Sequence, residues 1–503
     1  MKMAYLSLIL FALPTYLSAK NFDITEFGAV ADTSTLSTQA IQKAIDLCST
    51  SGGGQVTIPA GSFKTGTIIL KSNVLLYLEN GATLYGSTNL NDYIKLKPAY
   101  ISLRTHVPTI QLIYAENVEN SGISGFGTID GQGKDFVKLS ENDEGMTRPH
   151  LLRFITSNNI VVENITLKNS GCWMQHYLAC DNVQIRGLRV FNRNNFNNDA
   201  LDLDGCRNVT VSDLITDSDD DGITLKSTSP RPCENITITN CVVSSRCNAI
   251  KLGTETNAGF RNICISNCVV KPSEAKVKGF YGREGGLAGI ALEIVDGGIM
   301  DGISISNIQI EGTTAPIFIR LGNRARPYKE GVPVENVGKV EDITISNVRA
   351  KNTSGIGCSI SGLPGNTVNN VRLSNIAIEY AGGGTLDDVN MTVEEKAKAY
   401  PESTMFGEHL PAYGFYIRHA SGITMDGMQL STKTEDKRPA IFMDDVCNSN
   451  FNNLQLHKGV EADAAILIKD SKDILINNYL APGKASKFVK LDGKNNIGIT
   501  INK

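Results

Sequence analysis

Val209-Thr210-Val211-Ser212-Asp213-Leu214 is followed by Ile236-Thr237-Ile238-Thr239-Asn240-Cys241 and then by Ile263-Cys264-Ile265-Ser266-Asn267-Cys268. Each stretch alternates a β-branched or apolar residue with a polar one, the period of a strand with one buried face. Each then turns at Asp or Asn, side chains that tolerate left-handed backbone and hydrogen-bond locally. Working outward, Val161-Val162-Glu163-Asn164-Ile165 and Val183-Gln184-Ile185-Arg186-Gly187-Leu188 repeat the pattern upstream. The turn positions 164, 187, 213, 240 and 267 are separated by 23, 26, 27 and 27 residues. That spacing lies in the range of solenoid repeats. The pattern resumes at Asn307, Asn347, Asn375, Gly427, Asn453 and Asn478, with three intervals stretched by insertions near Lys271–Leu287, Gly312–Val340 and Glu379–Tyr413.

A coil of that length holds about three short strands and three turns, and stacking coils buries a column of Ile, Val and Leu that no coil buries alone. The fold class expected is all-β: a single-stranded right-handed parallel β-helix. Propeller blades need a longer, steadier period. Ser37-Thr38 ahead of Ala40, Ile41, Ala44, Ile45 and Leu47, with Gly52-Gly53-Gly54 behind, predicts an amphipathic helix that caps the first coil. Loops as long as the three insertions tend to rim a binding face.

Composition agrees with an ordinary folded chain. Of 503 residues, 41% are hydrophobic and 20% charged, and the net charge of -4 offers no footprint for nucleic acid or an anionic membrane. Residues 1–19 read as a signal peptide: Met1-Lys2, an apolar core from Leu6 to Leu13, and Leu17-Ser18-Ala19 before the cut. Residues 20–503 are then one β-helix domain, exported to the periplasm or the medium, and monomeric. The eleven scattered Cys suggest buried free thiols, Cys206, Cys241, Cys264 and Cys268 among them, with one or two bridges. No paired CxxC or His cluster supports zinc. The Asn-x-Thr sequons at Asn164, Asn208 and Asn235 fall in or beside repeat strands, poor places for a glycan.

The most acidic point of the chain sits inside the repeat. Asn198-Asp199-Ala200-Leu201-Asp202 lies on one coil and Ser218-Asp219-Asp220-Asp221-Gly222-Ile223 on the next. Asp199 and Asp220 differ by 21 positions, which stacks them on neighbouring rungs about 4.8 Å apart. Carboxyls that close cannot all ionise freely, so one retains a proton. An acid beside ionised carboxylates is what glycosidic cleavage needs. Two other readings stay open. An Asp-rich turn satisfies backbone NH groups, and Asp217-Ser218-Asp219-Asp220-Asp221-Gly222 opens like a calcium loop but has Thr228 where a bidentate Glu belongs.

At these residues the chain resembles glycoside hydrolase family 28, the polygalacturonases and rhamnogalacturonan hydrolases, whose fold is the pectin-lyase-like solenoid. Glu26-Phe27-Gly28-Ala29, Gly52-Gly53-Gly54-Gln55-Val56 and Ile129-Asp130-Gly131-Gln132-Gly133 fit that family's opening segments. Asn198-Asp199-Ala200-Leu201-Asp202 and Asp220-Asp221-Gly222-Ile223 resemble its two acidic motifs at the expected separation. The resemblance implies Asp220 as general acid, Asp199 and Asp221 as the pair that holds and deprotonates water, inversion at the anomeric carbon, and no cofactor or metal. Asp217 and Asp219 are left to support the turn.

Two departures bear on substrate. Asn248 stands where the family has a His, and Gly289-Ile290-Ala291-Leu292-Glu293 replaces its Arg-Ile-Lys, setting Glu293 where a cation would grip a uronate. This favours a pectic poly- or oligosaccharide with a neutral neighbour, rhamnogalacturonan rather than plain polygalacturonan. Lys251, Arg320, Arg324 and His176 complete the expected substrate contacts, with the only Trp, Trp173, as a sugar platform. Tyr416-Ile417-Arg418-His419 is placed to close one end of the cleft. A calcium-dependent lyase and a non-catalytic glycan-binding β-helix are the alternative functions.

Overall fold

A computed structural model describes residues 20–140, 143–274, 285–456, 462–480 and 487–503. The expected leader and most of the Lys271–Leu287 insertion lie outside those residues. The described strands pair in parallel, each with its equivalent one coil on. The chain is a parallel β-helix, as the repeat predicts, whose coils contribute to three sheets. The first holds His150–Ile155, Gln175–Leu178, Leu201–Asp204, Ile223–Ser227, Asn248–Thr256, Gly286–Ile294 and Thr313–Leu321. The second takes Asn158–Glu163, Asp181–Arg186 and Arg207–Ser212, and the third Thr166–Lys168, Arg189–Asn192 and Ile215–Ser218.

The core is the expected stack. Ile160, Val183, Val209, Ile236, Ile263, Ile303 and Ile343 lie in register and are buried. Burial of each such side chain stabilises by about 1.5–3 kcal/mol. All eleven turn positions found in the sequence have positive φ, from 46° at Asn478 to 69° at Gly427. Their amides form a ladder along the edge. Asn307 donates to Asn267 at 3.0 Å, Asn347 to Asn307 at 3.0 Å and Asn375 to Asn347 at 2.7 Å. A parallel ladder at the next turn engages Asn208 and Asn235, whose amides serve the fold.

The capping helix, Thr38–Thr50, buries Ala40, Ile41, Ala44, Ile45 and Cys48 against the first coil. Leu47, expected on that face, is exposed because the face follows Ala44 and Cys48. No disulfide forms, against the one or two expected: each of the eleven Cys is free. Cys264 is exposed, on the polar side of its strand's alternation. The expected insertion Gly312–Val340 begins as a strand of the first sheet, Thr313–Leu321, and only residues 322–338 loop out. A further insertion between Gly86 and Gln111 escaped the sequence reading, because the repeat is irregular before residue 158.

Asn347→Ala should lower stability by about 1–2 kcal/mol, losing two ladder bonds, one donated and one accepted, and a residue at ease at φ 54°. Asn347→Gly, which relaxes the backbone but lacks the amide, should recover part of that loss. Thermal melts of the three proteins measure the order.

Candidate active site

The carboxylates are placed by the turns that enter the first sheet. Asn198 Nδ2 donates to the Ser170 and Cys172 carbonyls at 3.1 and 2.9 Å, and Asn192 Nδ2 donates to the Asp199 carbonyl at 3.0 Å. One coil on, the hydroxyls of Ser218 and Ser245 hold the Asp220 carbonyl at 3.0 and 2.6 Å. Leu201 pairs with Ile223, and the Ala200 NH donates to the Asp221 carbonyl at 3.0 Å. Asp199 therefore lies beside Asp221 in the ladder, not beside Asp220. The coil here is one residue longer than the 21-residue offset assumed from the sequence.

Asp199, Asp202 and Asp221 are buried, and Asp220 is half-buried. Burial, then the Asp221 charge, pushes the Asp220 carboxyl up to about 7. Burial likewise raises Asp202 to about 7, and burial with Asp202 and Asp220 raises Asp199 well above the carboxylate range. Asp221 goes the other way. Burial opposes its charge, but Lys251 and then Lys226 outweigh it and hold its carboxyl below the usual value. The geometry explains this: Lys251 Nζ lies 2.9 Å from Asp221 Oδ2, and Asn248 donates to Asp221 Oδ1 from its backbone NH at 3.1 Å and from Nδ2 at 3.0 Å. Of these four aspartates, Asp221 is thus the ionised one, next to proton-holding acids.

A continuous row on the first sheet runs Arg153, His176, Asp202, Thr224, Lys251, Ala291. Lys226, absent from the sequence-based site, lies 3.5 Å from Asp202 Oδ1, 3.9 Å from Asp199 Oδ2 and 3.5 Å from Glu255 Oε2. Its ammonium also sits 4.9 Å from the Trp173 ring centroid. His176 is sealed from solvent against Trp173, with Nε2 3.2 Å from Asp204, and burial lowers it to about 4, so it is a neutral imidazole.

The expected substrate contacts divide. Asn248 and Lys251 join the carboxylates. Glu293 is fully buried, faces the Lys251 charge, and has no hydrogen-bond partner on either oxygen. Arg324 pairs with Asp296 and donates to the Thr254 carbonyl at 3.0 Å. Arg320 is not brought to the site. It is buried and donates to Ser361 Oγ and to the carbonyls of Gly362 and Glu395, tying the longest insertion to its coil. Arg418 and His419 fasten the same insertion through Glu395, and Tyr416 is buried against Phe442. Asp217 pairs with Arg193, and Asp219 lies 3.7 Å from Arg246, both outside the row.

Among the described residues, three insertions wall the site. The longest brings Tyr400 to 3.4 Å from Lys251 Nζ and buries Glu402, whose carboxyl burial raises to about 8. The insertion before Gln111 brings Arg104 to Glu255 at 2.7 Å, and residues 322–338 bring Arg326 to the same carboxylate. A larger groove of about 500 Å³ lies on the third sheet, beside Gln309, Arg349 and Gln429, and holds none of these acids.

The model of the glycosyl hydrolases family 28 matches residues 48–399. The chain belongs to that family. A probable polygalacturonase of Vitis vinifera is 32% identical over 219 residues, 42% of this chain and 45% of the relative. An exo-poly-alpha-D-galacturonosidase of Dickeya chrysanthemi is 28% identical over 256 residues, 41% and 42% of the two chains. The chain spans less than half the length of these relatives. Among solved structures, the family 28 exopolygalacturonase of Yersinia enterocolitica aligns with TM-score 0.65 at 19% identity, over 85% of this chain and 78% of that one. An exopolygalacturonase of Thermotoga maritima aligns with TM-score 0.61 at 20% identity, over 82% and 92%. These likenesses bear on the fold.

Within this family 28 site, Asp202, Lys226 and Glu255 had one sequence signal available. They are charged residues on the first-sheet strands entered from Asp199 and Asp221 and on the strand that carries Lys251. Arg104, Arg326, Tyr400 and Glu402 had none, because insertions bring them.

Asp202 binds its proton up to about pH 7 when folded, against 3.8 as a free side chain. A carboxyl raised by folding favours the folded state below its unfolded value, and this contribution fades as pH rises from about 4 to about 7. Asp202→Asn should therefore flatten the decline of stability between about pH 5 and 7.5. Urea midpoints at the two pH values decide it.

Proposed function

We propose that this family 28 chain hydrolyses an α-galacturonosyl bond of a pectic glycan with inversion, and that the sugar on the leaving side is neutral, as in rhamnogalacturonan. The observation that carries the reading is the contrast between Asp220 and Asp221. Asp220 is the half-buried member of the group and keeps its proton near neutral pH, so a leaving oxygen can reach it. Asp221 is ionised and fixed by Lys251 and Asn248. In the reaction, Asp221 accepts a proton from water while that water attacks the anomeric carbon. The C–O bond breaks, and Asp220 delivers its proton to the departing oxygen. Asp199, itself proton-holding, orients the water. Attack from the face opposite the leaving group inverts the configuration.

The neutral leaving sugar follows from charge. Lys251 is neutralised by Asp221, and the acids Glu293 and Glu402 flank it. A second uronate placed there would meet no free cation among the described residues, whereas sugar hydroxyls suit neutral carboxyls as partners. The calcium-lyase alternative is disfavoured by donor chemistry. Asp220, Asp221 and Cys247 are the one group among the described residues close enough for a shared ion. A thiol is a poor calcium ligand, and Lys251 already occupies one oxygen of Asp221.

Asp220→Asn should cut turnover of rhamnogalacturonan oligosaccharides by about 10²–10⁴-fold, and wild-type kcat should fall above about pH 7 as the acid ionises. NMR of the anomeric protons should show the β-anomer first. Equal or faster turnover of polygalacturonate would sink the neutral-sugar assignment, and an unsaturated product would sink hydrolysis. Lys251→Met removes the cation that keeps Asp221 ionised, so it should move the acidic limb of the kcat/KM profile toward neutral pH.

A further inference from the structure

The turn that delivers Asp199 to the first sheet is gripped from two coils away. Arg148 lies just before the strand His150–Ile155, Gly171 in the turn before Gln175–Leu178, and Phe196 and Asn197 in the turn before Leu201–Asp204. The Arg148 guanidinium crosses both intervals. Its Nε donates to Asp143 Oδ1 at 2.8 Å and its NH2 to Asn197 Oδ1 at 2.9 Å. Its NH1 donates to the Gly171 carbonyl at 3.3 Å and to the Phe196 carbonyl. Two rungs span roughly 10 Å. Arginine forks to acceptors on separate segments, which the single nitrogen of a lysine cannot do. The side chain is sealed from solvent, with all three nitrogens engaged.

The root of that side chain is equally fixed. Pro149 restricts the Arg148 backbone to extended conformations. The Arg148 carbonyl accepts from the Gly145 NH at 2.9 Å and from Cys172 Sγ at 3.2 Å. Asp143 meets the charge, its Oδ1 also lying 2.7 Å from NH2, and is itself held by the Leu139 NH at 2.6 Å and Thr147 Oγ1 at 3.0 Å. A buried guanidinium without such a partner would be strongly destabilising. Matched in this way, Arg148 does not act on the site through its charge. Burial, then Asp202, Asp220, Lys226 and Asp221, shift the Asp199 carboxyl.

What Arg148 supplies is geometry. Asn197 has φ 52°, a left-handed conformation that costs most residues about 1–2 kcal/mol. The buried Asn198 beside it commits both ends of its amide to the main chain, Nδ2 to the Ser170 and Cys172 carbonyls and Oδ1 to the Asn195 NH at 2.6 Å. The Asp199 carbonyl accepts from the Met174 NH at 3.0 Å and from Asn192 Nδ2. With Arg148 on Phe196 and Asn197, every residue from 196 to 199 has a fixed point. The Asp199 side chain therefore leaves a backbone without slack.

We infer that Arg148 is a positioning residue: through Phe196 and Asn197 it sets the place of the Asp199 carboxyl relative to Asp221, and so the place of the attacking water. The water rests on the hydrolase reading, whereas the carboxyl's place does not. A misplacement of about 1 Å at a reacting group costs on the order of 10²-fold in rate. Arg148 is buried beneath the groove and touches no sugar. Its loss therefore falls on turnover, and leaves substrate affinity and the titration of the acids as they were.

Two variants separate this from a merely structural part. Arg148→Lys keeps a cation for Asp143 and gives up the fork. Asn197→Gly keeps the left-handed backbone and removes the acceptor. Each is assayed on rhamnogalacturonan oligosaccharides well below its own melting temperature. The kcat should fall about 10–100-fold in Arg148→Lys and about 3–10-fold in Asn197→Gly, with KM within about twofold and both limbs of the pH profile in place. Asn197→Gly added to Arg148→Lys should lower kcat little further, because both changes break the same bond. A lower melting temperature with kcat unchanged overturns the proposal, as does a fall in kcat accompanied by an equal change in KM or by a shifted pH profile. Crystal structures of the wild type and both variants give a readout without turnover. The Asp199 carboxyl should move by about 0.5 Å or more relative to Asp221, and a carboxyl in its wild-type place overturns the proposal. If the wild-type chain cleaves no glycan, the hydrolase reading fails and the displacement alone decides the positioning. If Arg148→Lys does not fold, Asn197→Gly decides.

Discussion

Everything in this molecule depends on the register between coils. Each coil returns after a little over twenty residues and lies about 4.8 Å above the last, so every outward side chain meets its equivalent. The apolar column pins that register, because a slip of one residue would turn Ile and Val outward and Thr and Ser inward along a whole strand. Positive-φ turns at Asn, Asp and Gly allow the chain to close each coil, and their amides knit the edge. The same rigidity forces Asp199, Asp202, Asp220 and Asp221 together in a way no flexible loop would tolerate.

That crowding is the source of the chemistry. Carboxylates held this close in a buried groove cannot all be charged, so protons are retained where cations are absent and lost where they are present. Lys251 and Asn248 select Asp221 as the ionised member. Lys226, set between Asp199, Asp202 and Glu255, keeps the remainder of the group from being a pure repulsion. Removing one member of such a network leaves the rest uncompensated, which makes the site costly to alter piecemeal.

The insertions convert a sheet face into an enclosed site. A bare β-helix offers an open groove along its length. Here the segments before Gln111, after Leu321 and after Tyr380 fold across the first sheet and carry charge to it. One side receives Arg104 and Arg326, the other Tyr400 and Glu402. The result is an asymmetric groove, with cations toward the amino-terminal coils and acids toward the carboxy-terminal ones.

The sequence by itself determined the solenoid, the capping helix, the eleven turns and the coils that carry Asp199, Asp220, Asp221, Asn248 and Lys251. Those features are local, with a strand period of two, a turn residue that tolerates left-handed backbone, and a repeat readable at short range. Only the tertiary structure decided that Asp199 neighbours Asp221, since one extra residue in a coil shifts the pairing without disturbing the pattern. It also decided that Arg320 serves an insertion while Arg104 and Arg326 converge on Glu255. Contacts between residues more than a hundred positions apart, such as Arg104 with Glu255, arise from where loops land on the packed coils, and no periodicity encodes a landing.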